Sequence, residues 1–149
     1  MWAVTVHGTP APKGTLKCVG QHGRHQLVEQ DRTKIGKPWR RLLAQAGEAI
    51  AARAGESLAG PVSVEATFTL DRPGSAGTRL WPWRRTRQHN ADVDKLARML
   101  LDGLTDGKVW GDDMQVVELN VRKTYPDNPD CPDALPSSGA VIRIWRTTP

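Results

Sequence analysis

The stretch His89–Lys123, HNADVDKLARMLLDGLTDGKVWGDDMQVVELNVRK, decides how the rest of the chain is read. It gathers Asp92, Asp94, Asp112 and Asp113 into a short span of a protein that is otherwise basic. Between the two acidic pairs, Leu96, Met99, Leu100 and Leu104 share one arc at about 100° per residue, which predicts an amphipathic helix from Asp92 or Val93 to Leu104. Asp92 or Asn90 can cap its start. Asp94, Arg98 and Asp102 fall on one polar stripe. Gly107 ends the turn that follows, Lys108–Trp110 has room for a short strand, and Gly111 bends the chain before Asp112. Gln115–Lys123 then alternates: Val117, Leu119 and Val121 on one face, Glu118, Asn120 and Arg122 on the other, the pattern of a strand. Asp113 has the parity of the apolar face and is expected to point inward. With the helix start and the strand start packed together, the carboxylates meet. Like charges that close are costly without a cation, and hard divalent ions favour carboxylate oxygens.

Blander readings compete. Asp92 can serve only as a helix cap, Asp112 and Asp113 only as turn residues, and Asp94 can merely pair with Arg98. Asp-x-Asp and Asp-Asp are each weak motifs, so spacing leaves these alternatives open. The ligand spacing and closing Glu of an EF-hand are absent. His7, His22, His25 and His89 lack zinc-ligand spacing. No Gly-rich phosphate loop, Ser nucleophile motif or candidate catalytic Cys is present.

Outward from this stretch, the balance of charge changes sign. The 149 residues carry 21 Lys and Arg against 16 Asp and Glu, a net charge of +5. That favours an anionic partner such as nucleic acid. Residues 72–91 hold Arg72, Arg79, Arg84, Arg85 and Arg87 and no acid, with Trp81 and Trp83 interleaved; Gly and Pro make the segment a loop. Guanidinium groups grip phosphate in a fork, and Trp stacks on unpaired bases. The competing reading is a solvated, flexible loop. Arg79, Trp81, Trp83, Arg84, Arg85 and Arg87, joined by Lys95 and Lys123, are the candidate DNA contacts.

The remainder completes an α/β pattern of the α+β type, with one mixed sheet and about two main helices in a single domain spanning 1–149. Trp2–His7 reads as a strand and Gly8–Gly14 as a turn or loop. Leu16–Val19 and Gln26–Glu29 fit a hairpin within a basic segment. A helix is predicted over 38–54, with Pro38 in its first turn and Gly55 as its stop. Val62–Leu70 alternates as a strand with one face buried and the other wet or covered. Residues 126–138 form a Pro- and Asp-rich loop of the kind often mobile, and Ala140–Arg146 is a last strand. Cys18 and Cys131 form no CxxC, and nothing requires them to pair. No apolar run is long enough for a signal peptide or a membrane span, so a cytoplasmic location is the default expectation.

The motifs in order, Asp92-Val93-Asp94, Leu101-Asp102-Gly103-Leu104, Trp110-Gly111-Asp112-Asp113, Gln115-Val116-Val117 and Lys123, resemble the RusA-type Holliday junction resolvases, endonucleases of phage and prophage origin. The likeness is close over 89–123; earlier parts agree only in the order of elements. It implies a Mg²⁺-dependent homodimer, with Mn²⁺ as the alternative ion, that cuts four-way DNA junctions symmetrically in recombination and repair. By position, the essential aspartates fall on Asp92, Asp94 and Asp113, with Asp112 as adjacent metal support, and a functional Lys of the family falls on Arg98, which joins the catalytic set. Lys95 stands where the family usually has Asn. Two rival functions remain from the residues themselves: a DNA-binding module without catalysis, and a metal nuclease acting on other branched DNA.

Overall fold

Alternating apolar residues at 62–70, with helical periods on either side, build one sheet covered by two helices. The computed structural model describes residues 1–14, 16–20, 26–29, 33–85 and 91–148, with the backbone alone at 16–19, 26–29, 33 and 34. The elements are β1 (Trp2–His7), β2 (Leu16–Val19), β3 (Gln26–Glu29), α1 (Thr33–Ala54), β4 (Val62–Thr69), α2 (Val93–Asp106), β5 (Val116–Thr124) and β6 (Gly139–Arg146). The sheet order is β1-β6-β4-β5, and β2 and β3 form a separate antiparallel hairpin. β1–β6 and β6–β4 are antiparallel and β4–β5 is parallel. The result is the mixed sheet and single α+β domain that the sequence predicts. A parallel neighbour requires a crossover, and α2 supplies it.

Val64, Ala66 and Phe68 of β4 and Ile142 and Ile144 of β6 join Trp39, Leu43 and Ile50 of α1 and Leu96, Leu100 and Leu104 of α2 in one core. Burying each such aliphatic side chain stabilises the fold by about 1.5–3 kcal/mol. The helices approach through glycine: a Cβ on Gly107 would fall 2.3 Å from the Ala44 carbonyl oxygen, and one on Gly103 2.5 Å from Leu43 Cβ. α1 begins at Thr33, five residues before the predicted start, so Pro38 lies inside it. Pro38 forfeits one helical N–H. The extra turn packs on α2, where Gly36 faces the Met99 methyl.

The loop over 126–138 is packed, contrary to what its composition suggests. Arg143 forks onto Asp133 at 2.5 and 2.6 Å and also reaches Glu65 at 3.1 Å. The Arg143 guanidinium holds the Asp133 carboxyl below its ordinary value. The Leu135 N–H donates to Thr69 Oγ1 at 3.0 Å, and Asn128, buried, donates to Thr124 Oγ1 at 3.0 Å. On the second face of β4, Ser63, Thr67 and Thr69 are buried as fully as their apolar neighbours: the loop meets Thr69, and the Ser63 hydroxyl lies 2.6 Å from Thr147 Oγ1. Cys131 is a free, buried thiol within it. Among the described residues, no helix is long and apolar enough to cross a membrane.

β5 departs from its predicted alternation. Its register on β4 shifts between Val62 and Ser63, pairing Val62 with Val116 and Ser63 with Glu118. Val117 is therefore an extra residue and stands 61% exposed, while Leu119 and Val121 stand on the helix side beside Val64 and Ala66, Val121 packed against the core and Leu119 still exposed at the sheet edge. The same shift, together with a 3₁₀ turn at Asp113–Gln115, breaks the parity that would have pointed Asp113 inward; Asp113 is exposed.

Candidate active site

Asp92 stands at the N-cap of α2 with extended backbone (φ −67°, ψ 137°), and its carbonyl accepts from the Leu96 N–H at 3.0 Å. Its side chain makes no capping hydrogen bond. An aspartate here ordinarily turns its carboxylate onto the first-turn amides. This one instead lines a cleft of about 110 Å³ with Trp83, Arg84, Arg85, Lys123 and Tyr125. Lys95 Nζ lies 3.7 Å from Asp92 Oδ2. The Lys123 ammonium donates to the Ala91 carbonyl at 2.9 Å; burial pushes its pKa down, and the charge of Asp92 partly restores it. Asp94 and Arg98 are exposed on the polar stripe of α2, and among the described residues neither has a side-chain partner, so the Asp94–Arg98 pair does not form.

The second acidic pair is built differently. Asp112 accepts from the Met114 N–H at 2.8 Å, and Gln115 Oε1 accepts from the Gly111 and Asp112 N–H groups, completing a capping box. Gln115 Nε2 donates to the Leu58 and Gly60 carbonyls at 2.8 and 2.9 Å, which ties the turn to the segment before β4. The turn-residue reading thus holds for Asp112. Asp113 has no side-chain partner among the described residues. Beside it lies a cleft of about 200 Å³ walled by Arg40, Asp102 and Asp106. Arg40 pairs with Asp106 at 2.6 and 3.2 Å and holds its carboxyl below the usual range, and Lys13 pairs with Asp102.

The four aspartates do not meet within one chain. α2 runs antiparallel to β5, so the helix start lies at the end of the strand, as the Lys123–Ala91 bond records. Asp112 and Asp113 precede the beginning of the strand, near Asp102 and Asp106 at the other end of the helix. A helix of 14 residues separates the pairs by roughly 20 Å at ~1.5 Å per residue. Among the described residues, no group of three or more His, Cys, Asp or Glu is placed to hold a metal. The expected packing of helix start on strand start is thereby corrected: a crossover helix returns the chain to the beginning of the next parallel strand, opposite its own start.

Of the candidate DNA contacts, Trp81 and Trp83 are 38% and 66% exposed, and Arg84 stacks over the Trp83 ring at 4.4 Å. Arg84 and Arg85 are exposed at the rim of the Asp92 cleft. Arg79 is half-buried and donates to the Ser75 carbonyl, a tie within the loop. Arg87, with His89 and Asn90, lies outside the described residues. Residue patterns gave no sign of three participants: Tyr125 in the wall of the Asp92 cleft, with Arg72 over its ring at 5.1 Å, and Lys13 and Arg40 beside the second pair. Gln115 sat within the recognised motif, and its position two residues past the acid pair is the signal for a capping partner.

The sequence matches the family described as Endodeoxyribonuclease RusA over residues 8–131, most of the chain. The chain belongs to the RusA endodeoxyribonuclease family. No curated protein matches it. RusA enzymes are Holliday junction resolvases, nucleases that bind branched DNA and depend on a divalent metal. The matched span contains both acidic pairs and the Trp/Arg loop, while β6, an inner strand of the sheet, lies beyond it.

Proposed function

We propose that this RusA-family nuclease is a Mg²⁺-dependent homodimer, with Mn²⁺ as the alternative ion, that resolves four-way junctions by paired symmetric nicks. Each metal site takes Asp92 and Asp94 from one subunit and Asp113 from the other. The observation that carries this reading is that the acids without a structural task sit at opposite ends of an edge strand. The residues fit a hard cation: Asp92 is uncapped, Asp94 and Asp113 are exposed without side-chain partners among the described residues, and all three offer carboxylate oxygen. β5 borders the sheet with one edge unpaired among the described strands, and Met114, Val117 and Leu119 are exposed on or beside it. Such an edge is a template for a second chain. Two β5 edges paired antiparallel about a two-fold axis would bring the start of one strand beside the end of the other, and so Asp113 beside the Asp92 cleft. The two-fold axis also suits a substrate whose arms are related by near two-fold symmetry.

When bound, the divalent ion supplies charge neutralisation at the scissile phosphate and a lowered pKa for water. Arg98, one turn along the helix from Asp94, stabilises the phosphate. Trp83, Arg84 and Arg85 hold DNA at the rim, Trp81 and Arg87 extend that contact, Lys95 adds positive charge, Lys123 holds the backbone just ahead of Asp92, and Asp112 supports Asp113 by holding its turn.

Mixing Asp92→Asn chains with Asp113→Asn chains tests the shared site. Each variant alone should be inactive on a four-way junction. In the mixed dimer one site keeps Asp92, Asp94 and Asp113 intact, so nicking of one strand should return without the paired cut. Heterodimers that form but remain inactive would remove the shared-site reading.

A further inference from the structure

Two lysines flank the Asp92 carboxylate, and they engage it in different ways. Lys95 lies nearly one turn along α2 and faces the carboxylate itself, Nζ to Oδ2 at 3.7 Å. Lys123 reaches across from β5 and holds the backbone, Nζ to the Ala91 oxygen at 2.9 Å. Its placement is unusual for a lysine. In the parallel register Lys123 pairs with Phe68, so it stands on the core face, next in line after Leu119 and Val121. The stem covers the end of the core and the ammonium emerges at the start of α2. Ala91, whose carbonyl it holds, is itself buried in the core cluster. The peptide just ahead of Asp92 is thus tied to the sheet from one side and packed from the other. Asp92 leaves that tie with extended backbone and a carboxylate turned away from the helix amides.

We infer that Lys123 is a positioning residue: by gripping the Ala91 carbonyl it keeps the Asp92 carboxylate off the helix start and aimed at the cation, whereas Lys95 is the counterion that the cation displaces. This rests on the reading of Asp92 as a metal ligand. Coulomb's law alone gives both lysines one sign, because either ammonium repels a divalent ion and its removal should tighten binding. A positioning role reverses the sign for Lys123 only.

The test is a calorimetric titration of Mn²⁺ into the full chain without DNA, for wild type, Lys123→Met, Lys123→Arg, Lys95→Met and Asp92→Asn, with junction affinity measured separately in chelator. Methionine keeps most of the stem and its apolar cover while removing the donor. Lys123→Met should weaken Mn²⁺ binding by about tenfold or more, the scale for losing a group that orients a ligand. Lys123→Arg, which retains a donor, should recover much of that loss, and junction affinity in chelator should stay near wild type for both. Lys95→Met should tighten Mn²⁺ binding by about two- to fivefold, the range of an exposed ion pair. Unchanged or tighter Mn²⁺ binding in Lys123→Met overturns the assignment. So does a large loss of junction affinity in chelator with Mn²⁺ binding intact, which would make Lys123 a phosphate contact. Wild-type Mn²⁺ binding that is indifferent to Asp92→Asn would instead overturn the metal reading of Asp92, and is told apart by that variant alone.

Discussion

Asp92 and Asp112 each stand one residue ahead of a helical turn with extended backbone, yet only Asp112 uses its carboxylate as a cap. At the Asp112 end, Gln115 fastens the turn with four hydrogen bonds, and Arg40 and Lys13 neutralise the neighbouring acids. At the Asp92 end, a lysine holds the backbone, the carboxylate faces a cleft, and arginines line the rim. At the Asp112 end every acid but Asp113 has an internal partner among the described residues, whereas the Asp92 end is open to something that carries charge. A residue's identity at a helix start is therefore a poor guide to its work, and the destination of its carboxylate is a good one.

The largest effects should come from the aspartates that cap nothing. Asp92→Asn, Asp94→Asn and Asp113→Asn should each lower junction cleavage by roughly a thousandfold, since losing a metal ligand forfeits several kcal/mol in the transition state. Binding to labelled junction in chelator should survive. Asp112→Asn should cleave within an order of magnitude of wild type, because Asn caps as well as Asp. Equal loss across all four would erase the distinction between the capping aspartate and the other three.

Next is Arg98. Arg98→Ala should reduce single-turnover cleavage by roughly a hundredfold, the scale for removing one donor to developing charge, with Arg98→Lys keeping much of the rate. A wild-type rate for Arg98→Ala would leave it a surface residue. Salt titrations of duplex binding then sharpen the contrast between the arginines. The double change Arg84→Ala with Arg85→Ala should flatten the slope by about 0.9 per lost phosphate contact.

The smallest effects concern stability. Asp112→Ala should lower unfolding free energy by about 1 kcal/mol, while Asp92→Ala should cost far less, since it caps nothing; chemical denaturation compares them. Acid should also act more on the Asp112 end. The Arg40 hydrogen bond lowers the Asp106 pKa from its ordinary 3.8. A carboxylate depressed in the folded state adds stability that is present above pH 3.8 and lost as pH falls through the lower folded value. Because the pair is largely exposed, the loss should be slight. Asp106→Asn should remove it from melting curves recorded below about pH 4.

Much of this was legible from residue order. Period-two and helical patterns located β1, β4, α2 and β6, because each buries one face or stripe in a common core. The site residues also stood out as acids in a basic chain. Their arrangement did not. Periodicity reports which face of an element is buried, but not which of its ends meets another. The antiparallel run of α2 over β5 decides that Asp92 and Asp113 lie far apart. The shift at Val117 was equally silent, since a bulge adds one residue without leaving a mark in the apolar pattern. Composition likewise misjudged 126–138, where the Arg143–Asp133 fork and buried Asn128 give a polar segment internal partners.

β6 lies between β1 and β4, yet it is the last of these strands to leave the ribosome. Until residues 139–146 have been made, the strand at one end of the chain has nothing to pair with, and β4 and β5 form only a two-stranded ribbon. Pairings this distant in sequence form slowly. A nuclease assembled in that order stays unfinished while it is being synthesised, and truncation before Gly139 should leave a chain that exposes two strand edges and aggregates rather than one that cuts DNA.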